Sequence, residues 1–130
     1  MVVVALDTNA LMMPVELEVR VFDELDRLLP GAALVTPQAV VDELDSLAGP
    51  GSREARAARV GRDLAADRCR VIPPEAYDAD NADDALVALA RSGAIDYVVT
   101  NDRPLRERLL AAGVPVVGVR NRRTLATTVP

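Results

Sequence analysis

The chain has 130 residues, half of them hydrophobic, and a net charge of -5 in which 15 arginines and no lysine carry the positive charge. This length suits one domain spanning residues 1–130, and three aromatic residues are too few for a surface on which nucleic acid bases stack. Histidine is absent and Cys69 is the only cysteine, which excludes histidine-based hydrolysis, zinc clusters and intrachain disulfides, so catalysis would need carboxylates, hydroxyls, arginine or a bound metal.

Short β-branched apolar runs alternate with helical patterns along the chain, which predicts an α/β fold around a mostly parallel sheet. In chain order the predicted elements are strand Val2–Leu6, helix Val15–Leu29, strand Ala33–Thr36, helix Pro37–Ala48, helix Ser52–Asp67, strand Cys69–Ile72, helix Ala82–Arg91, strand Ile95–Thr100, helix Pro104–Ala112 and strand Val114–Val119. We therefore expect five strands and five helices, with functional groups beyond the carboxyl ends of the strands.

The apolar start of the chain, Met1–Leu6, reaches Asp7 well before the length of a signal peptide or a membrane span, and it lacks a basic flank. We expect a cytoplasmic protein without membrane contact. Cys69 lies at the start of a predicted strand, where a buried, inert thiol is favoured over a nucleophile. The acid-rich, lysine-free composition fits either a high genomic GC content or a halophilic origin.

Two acids directly follow predicted strands, where an unpaired carboxylate is costly to desolvate. Asp7 ends one strand and Asp102 follows another, and each has a threonine and an asparagine as neighbours. Either acid alone fits an Asx turn or a helix cap. The repeated arrangement, in which hydroxyl and amide groups can orient a carboxylate, favours a site for hard divalent cations.

Two further acidic positions lie on predicted helices, and helical phase leaves their assignment open. Glu43 and Asp45 border the apolar stripe of the helix from Pro37 on opposite sides, and a solvated helix flank explains either residue. Asp83 and Asp84 both lie in a first helical turn, where carboxylates complement the helix dipole. Phase places Asp83 nearer to the apolar stripe and so favours it mildly.

Four segments in this order and spacing carry a resemblance to PIN-domain ribonucleases over nearly the whole chain. They are Leu-Asp-Thr-Asn-Ala-Leu at 6–11, Thr-Pro-Gln-Ala-Val-Val-Asp-Glu-Leu at 36–44, Asp-Asp-Ala-Leu-Val-Ala-Leu-Ala at 83–90 and Val-Val-Thr-Asn-Asp-Arg-Pro-Leu-Arg at 98–106. The resemblance implies a three-layer α/β/α sandwich with a five-stranded, mostly parallel sheet. It also implies that acidic residues bind Mg²⁺ or Mn²⁺ and thereby activate a water that cleaves single-stranded RNA.

The resemblance assigns the catalytic and metal-binding roles to four acids, Asp7, Glu43, Asp84 and Asp102. Its register prefers Asp84 to Asp83 and leaves Asp83 as a further metal ligand or a structural residue. Asn9 and Thr100 are expected to orient the carboxylates. Asp96 either supports the site or caps the start of a strand, and the cap is favoured.

Because the net charge opposes phosphate binding, affinity for RNA must come from local arginines. The arginines predicted to contact RNA are Arg103, Arg120, Arg122 and Arg123, chosen from a wider set that also includes Arg106 and Arg108 behind Asp102. Within the family the motifs look like the archaeal and eukaryotic branch related to rRNA-processing endonucleases, which implies a ribosome-assembly partner. The toxin branch of toxin-antitoxin pairs implies an antitoxin instead. A homodimer stays open, as does a catalytically weak PIN-like scaffold or RNA-binding module, although the complete acidic set argues against such a scaffold.

Overall fold

The computed structural model describes all residues from 1 to 130 and contains six strands and six α-helices. The strands are β1 (Val3–Leu6), β2 (Ala33–Pro37), β3 (Arg70–Ile72), β4 (Tyr97–Val99), β5 (Val116–Arg120) and β6 (Thr124–Thr128). The helices are α1 (Thr8–Glu16), α2 (Val21–Leu28), α3 (Gln38–Leu47), α4 (Arg53–Arg68), α5 (Ala82–Arg91) and α6 (Arg103–Ala111).

The strands form one sheet in the order β3-β2-β1-β4-β5-β6. Strands β1 to β5 are parallel, and β6 runs antiparallel to β5. The order reverses between β1 and β4, which is where open α/β sheets place their ligands. In that pair Leu6 lies opposite Val99, so Asp7 and Thr100 leave the sheet side by side. The flanked, mostly parallel sheet confirms the predicted α/β/α class, with six strands rather than five.

Buried aliphatic side chains hold the two central strands. Val4, Ala5 and Leu6 of β1 and Val98 and Val99 of β4 have no exposed surface. Strands covered on both faces appear in a sequence as continuous apolar runs, which explains why these two are predictable. The close-packed core gives the polar residues after these strands a rigid base. No helix is both long and apolar enough to cross a bilayer.

The predicted helix Val15–Leu29 is instead two helices, α1 and α2. Helix α1 begins directly after β1, because the Asp7 side chain accepts a hydrogen bond from the Ala10 N–H. Pro14, which suggests a helix start, lies inside α1 near its end. The chain breaks between the two helices at Glu18, whose φ of 55° cannot continue a right-handed helix.

Strand β6 is absent from the sequence prediction. The turn before it places Asn121 and Arg122 at φ values of 55° and 73°, in the left-handed region. Only Leu125 of β6 is buried. The segment therefore lacks the apolar run by which the other strands are recognised, and its β-branched threonines are the remaining signal.

Gly61 allows α4 to pack closely on α1. A Cβ at this position would lie 2.8 Å from the Leu11 carbonyl oxygen and 3.3 Å from Leu44 Cδ2. We expect Gly61→Ala to lower the free energy of unfolding by about 1–3 kcal/mol, despite the better helix propensity of alanine. Urea denaturation measures this change. Gly49→Ala is the control, since its Cβ would meet nothing within 4 Å, and equal effects of the two substitutions would contradict the packing argument.

Candidate active site

The candidate site lies where β1 and β4 end at the same edge of the sheet. Asp7 directly follows β1, and Thr100 directly follows β4. The Asp7 N–H donates to the Val99 carbonyl oxygen at 3.2 Å, which joins the two strand ends. Asp102 lies two residues beyond Thr100, so the two acids that follow strands lie on adjacent loops.

Asp7 is a buried carboxylate without a positive partner. Only 4% of the residue is exposed, and its Oδ1 accepts the Ala10 N–H at 2.6 Å. Burial raises the pKa of Asp7 to about 7, and the charges of Asp83 and Asp102 contribute to the rise. The Thr100 hydroxyl and the Ala10 N–H lower this pKa only in part. A cation beside Asp7 would relieve the cost of its burial.

Asp102 is exposed and caps α6. Its Oδ1 accepts the Leu105 N–H at 2.9 Å, and its own N–H donates to the Thr100 hydroxyl oxygen at 2.9 Å. Both Asp7 and Asp102 are therefore helix caps, which is the alternative that the sequence leaves open. A cap occupies one carboxylate oxygen, however, and Oδ2 of Asp102 makes no hydrogen bond within the protein.

Two asparagines connect the loops that carry these acids. The Asn9 Oδ1 accepts the Asn101 N–H at 3.1 Å, and the Asn101 Oδ1 accepts the Val119 N–H at 2.9 Å. Asn9 and Thr100 thus both contact the loop of Asp102, where orienting groups are expected. Sequence reasoning does not single out Asn101, although its place directly before Asp102 is a usable signal.

Two other side chains, Arg108 and Asn81, hold the Asp84 carboxylate. Arg108 Nη2 donates to the Asp84 Oδ1 at 2.8 Å, and the Asn81 side-chain amide donates to the Asp84 Oδ2 at 3.0 Å. These two contacts lower the pKa of Asp84. Both of its carboxylate oxygens are therefore already occupied by protein groups.

Asp83 is close enough to Asp102 and Glu43 for their charges to affect it. Desolvation raises the pKa of Asp83, and the charges of Asp102 and Glu43 raise it further. Glu43 forms no ion pair, whereas Asp45 on the other flank of α3 pairs with Arg62 at 3.5 Å. The helical phase of α5, which favours Asp83 over Asp84, agrees with this geometry.

Two other candidate residues lie outside this cluster. Asp96 precedes β4, at the opposite edge of the sheet from Asp102, and its Oδ2 accepts the Val3 N–H at 2.8 Å. Asp96 therefore caps a strand start, which is the alternative that the sequence favours, and its carboxylate contacts none of the acids. Cys69 is free and half-buried, and burial raises the pKa of its thiol to about 11, so the thiol stays protonated at neutral pH.

The remaining acids have the chemistry that a hard divalent cation requires. Asp7, Glu43, Asp83 and Asp102 form no ion pair with arginine. Their oxygen donors are those that Mg²⁺ and Mn²⁺ prefer. No three acidic side chains come close enough together to hold an ion by themselves, so an ion here would also need water ligands, as Mg²⁺ usually does. The buried Thr8 hydroxyl, next to Asp7, has no hydrogen-bond partner either.

The arginines predicted to contact RNA are all exposed. Arg103 begins α6, Arg120 ends β5, and Arg122 and Arg123 lie in the turn between β5 and β6. Arg103 and Arg123 take part in exposed ion pairs of 3.7 and 2.7 Å, which contribute little stability and separate readily. Arg120 and Arg122 have no carboxylate partner, and so their charges are free to meet a phosphate.

Comparison with family models matches residues 4–122 to the family described as PIN like domain. Among solved structures, the PIN domain endonuclease Utp24 is similar, with a TM-score of 0.77 and 25% sequence identity. That match covers 98% of this chain and 92% of the Utp24 chain. The similarity therefore includes the strand ends, α3 and α5, on which the acids lie.

Two other solved structures share the fold at lower identity. One is a domain of a functionally unknown protein from Methanocaldococcus jannaschii, with a TM-score of 0.66, 16% identity, and coverage of 100% of this chain and 99% of that chain. The other is VapBC2 from Rickettsia felis, bound to a DNA fragment from their promoter, with a TM-score of 0.60, 13% identity, and coverage of 89% and 98%. These identities show likeness of fold alone. No curated protein matches the chain.

Proposed function

Because the chain belongs to the family of PIN-like domains, we propose that it is a divalent-metal-dependent endoribonuclease that hydrolyses phosphodiester bonds in single-stranded RNA. The family and the similarity to the endonuclease Utp24 support a nuclease role. The observation that carries the proposal is the buried Asp7 carboxylate, which is near other acids and has no positive partner. Such an arrangement is costly unless a cation or a proton neutralises it.

The proposed cation is Mg²⁺ or Mn²⁺, held by Asp7, Glu43, Asp83 and Asp102 in part through water ligands, because no three of the acids are close enough to hold it by themselves. Asp84, which the family register prefers, would first have to leave Arg108. When bound, the cation lowers the pKa of a water and stabilises negative charge on the phosphate. Thr100 fixes the loop of Asp102 by accepting its N–H, and Asn9 holds the adjacent Asn101. In this proposal the two side chains keep the carboxylates in place without contacting the ion.

In this proposal, exposed arginines bind the RNA backbone and so bring the strand to the edge of the sheet where the acids lie. The unpaired Arg120 and Arg122 contact phosphates first, and Arg103 and Arg123 join when their exposed ion pairs open. The sequence motifs favour an RNA-processing role with a ribosome-assembly partner over a role as a toxin with an antitoxin. We further propose that residues 1–130 act as a single cytoplasmic domain.

Cleavage of a mixed pool of single-stranded RNA tests this proposal. With Mn²⁺, the wild-type protein should cleave the pool, and EDTA should abolish cleavage. Asp102→Asn keeps the oxygen that caps α6 but removes the negative charge that would bind the metal. RNA cleavage by this variant should therefore fall to the level found with EDTA. Asp96→Asn is the matched control, because it makes the same change at the opposite edge of the sheet. Equal cleavage by wild type and Asp102→Asn would defeat the proposal.

A further inference from the structure

A shallow pocket lies beside the acids, between α6 and the hairpin of β5 and β6. The residues that matter in its lining are Asn101, Arg106, Gly118, Arg120, Ala126 and Thr128. In the hairpin register Gly118 pairs with Ala126 and Val116 with Thr128. These residues are on one face of the hairpin, and the small size of Gly118 and Ala126 leaves room above that face.

The floor of this pocket touches the loop that carries Asp102. A Cβ on Gly118 would lie 3.1 Å from the Thr100 carbonyl oxygen and 3.3 Å from the Asn101 Oδ1. The Arg106 N–H donates to the Asp102 carbonyl oxygen at 2.9 Å, one turn along α6. The pocket is therefore next to the loop that carries Asp102, because Asn101 and Arg106 both line it.

The pocket is basic on a protein that is acidic overall. Neither Arg106 nor Arg120 has a carboxylate partner, although six other arginines form ion pairs. No acidic residue lines the pocket. The Asn101 Oδ1 accepts the Val119 N–H, and the Asn101 Nδ2 makes no hydrogen bond within the protein. The pocket therefore offers two guanidinium groups and an amide donor to an anion.

We propose that this pocket binds a phosphate of the RNA strand next to the phosphodiester held at the acids. The inference rests on the proposed function, since it assigns the pocket to the same RNA. Guanidinium groups suit phosphate because they donate two parallel hydrogen bonds to its oxygens. Arg106, which the sequence does not separate from the other arginines of α6, becomes a binding residue. One strand would then contact the acids through one phosphate and the pocket through the next.

The test is the salt dependence of RNA binding, measured by fluorescence anisotropy with a short fluorescein-labelled single-stranded RNA of mixed sequence in EDTA. Each phosphate contact on a single strand contributes about 0.7 to the slope of log affinity against log salt. The double variant Arg106→Gln/Arg120→Gln should therefore bind more weakly, and losing the one phosphate in the pocket should reduce the magnitude of the slope by about 0.7. Arg70→Gln is the control. It removes an exposed charge from β3, the outermost strand on the side of the sheet opposite the hairpin, and should retain the wild-type slope.

Phosphate binding by the pocket is ruled out if the double variant binds RNA with the same affinity and salt slope as Arg70→Gln. Circular dichroism of each variant verifies that it is folded. Hydrolysis of bis(p-nitrophenyl) phosphate with Mn²⁺ tests the nuclease proposal separately, because this small diester has no neighbouring phosphate. A wild-type protein that hydrolyses neither this diester nor RNA, but binds RNA through Arg106 and Arg120, would defeat the nuclease proposal and leave the pocket supported.

Discussion

Asp7→Asn is expected to stabilise the metal-free protein at pH 8 and to abolish RNA cleavage. Asparagine retains an oxygen that accepts the Ala10 N–H, so the cap of α1 persists. The substitution removes a buried charge whose pKa is raised from 3.8 to about 7. That difference corresponds to about 4 kcal/mol at alkaline pH, and the melting temperature should rise by about 15 °C for a chain of this length.

The raised pKa of Asp7 implies that the stability of the wild-type protein falls as the pH rises. Below about pH 4 Asp7 is protonated in both the folded and the unfolded chain, so its titration does not affect stability. Between pH 4 and 7 the unfolded chain releases the proton while the folded protein retains it, and stability falls as the pH rises. Above pH 7 Asp7 is ionised in the folded protein as well, and the full free-energy cost of burying its charge lowers stability. The chain has no histidine, so few other groups titrate in this range.

Melting temperatures measured from pH 4 to 8, with EDTA or with Mn²⁺, test this expectation. In EDTA the wild-type curve should fall with pH relative to the Asp7→Asn curve. Mn²⁺ should raise the melting temperature of the wild type at pH 8, because a ligand that binds only the folded state stabilises it. Asp7→Asn should not respond to Mn²⁺, and Asp96→Asn should respond as the wild type does. Parallel wild-type and Asp7→Asn curves in EDTA would contradict the role of burial.

The sheet and the strand-end acids are predictable from the sequence because both depend on local patterns. The central strands are buried on both faces and appear as apolar runs. Asp7 directly follows one such run and Asp102 lies three residues after the other, so their position at one edge of a parallel sheet follows from topology alone. Helix α1 is harder to predict, because Pro14 normally ends a helical pattern and the cap that starts α1 is Asp7 itself.

The orientation of the acids on α5 is not local information. Arg108, which binds Asp84, is 24 residues away along the chain, on a different helix. Helical phase favours Asp83, while the register of the PIN-domain resemblance favours Asp84. The sequence cannot decide between them, because the decision depends on which carboxylate a distant arginine reaches. Strand β6 is difficult to predict for a related reason. Its hydrogen-bonded pairing with β5, and not an apolar sequence pattern, defines it as a strand.

Asp83→Asn is expected to weaken Mn²⁺ binding and RNA cleavage far more than Asp84→Asn. Asp83 is near Asp102 and Glu43, whose charges raise its pKa, so it gains from a nearby cation. The Asp84 carboxylate already has a positive partner in Arg108. Its replacement removes an exposed ion pair, which costs about 0–1 kcal/mol of stability. Titration with Mn²⁺, followed by melting temperature, and cleavage of the RNA pool measure the two effects separately.

Arg108→Gln separates the two assignments, because it frees Asp84 while leaving Asp83 in place. If Asp83 is the ligand, this variant should cleave RNA at nearly the wild-type rate, and Asp83→Asn should remain inactive in its background. If Asp84 is the ligand and Arg108 competes with the metal for its carboxylate, Arg108→Gln should raise Mn²⁺ affinity. Adding Asp84→Asn to that variant should abolish the gain in affinity. The geometry favours the first result, since Asn81 holds the second oxygen of Asp84 even without Arg108. Loss of cleavage in Asp84→Asn with wild-type activity in Asp83→Asn would instead assign the site as the family register does.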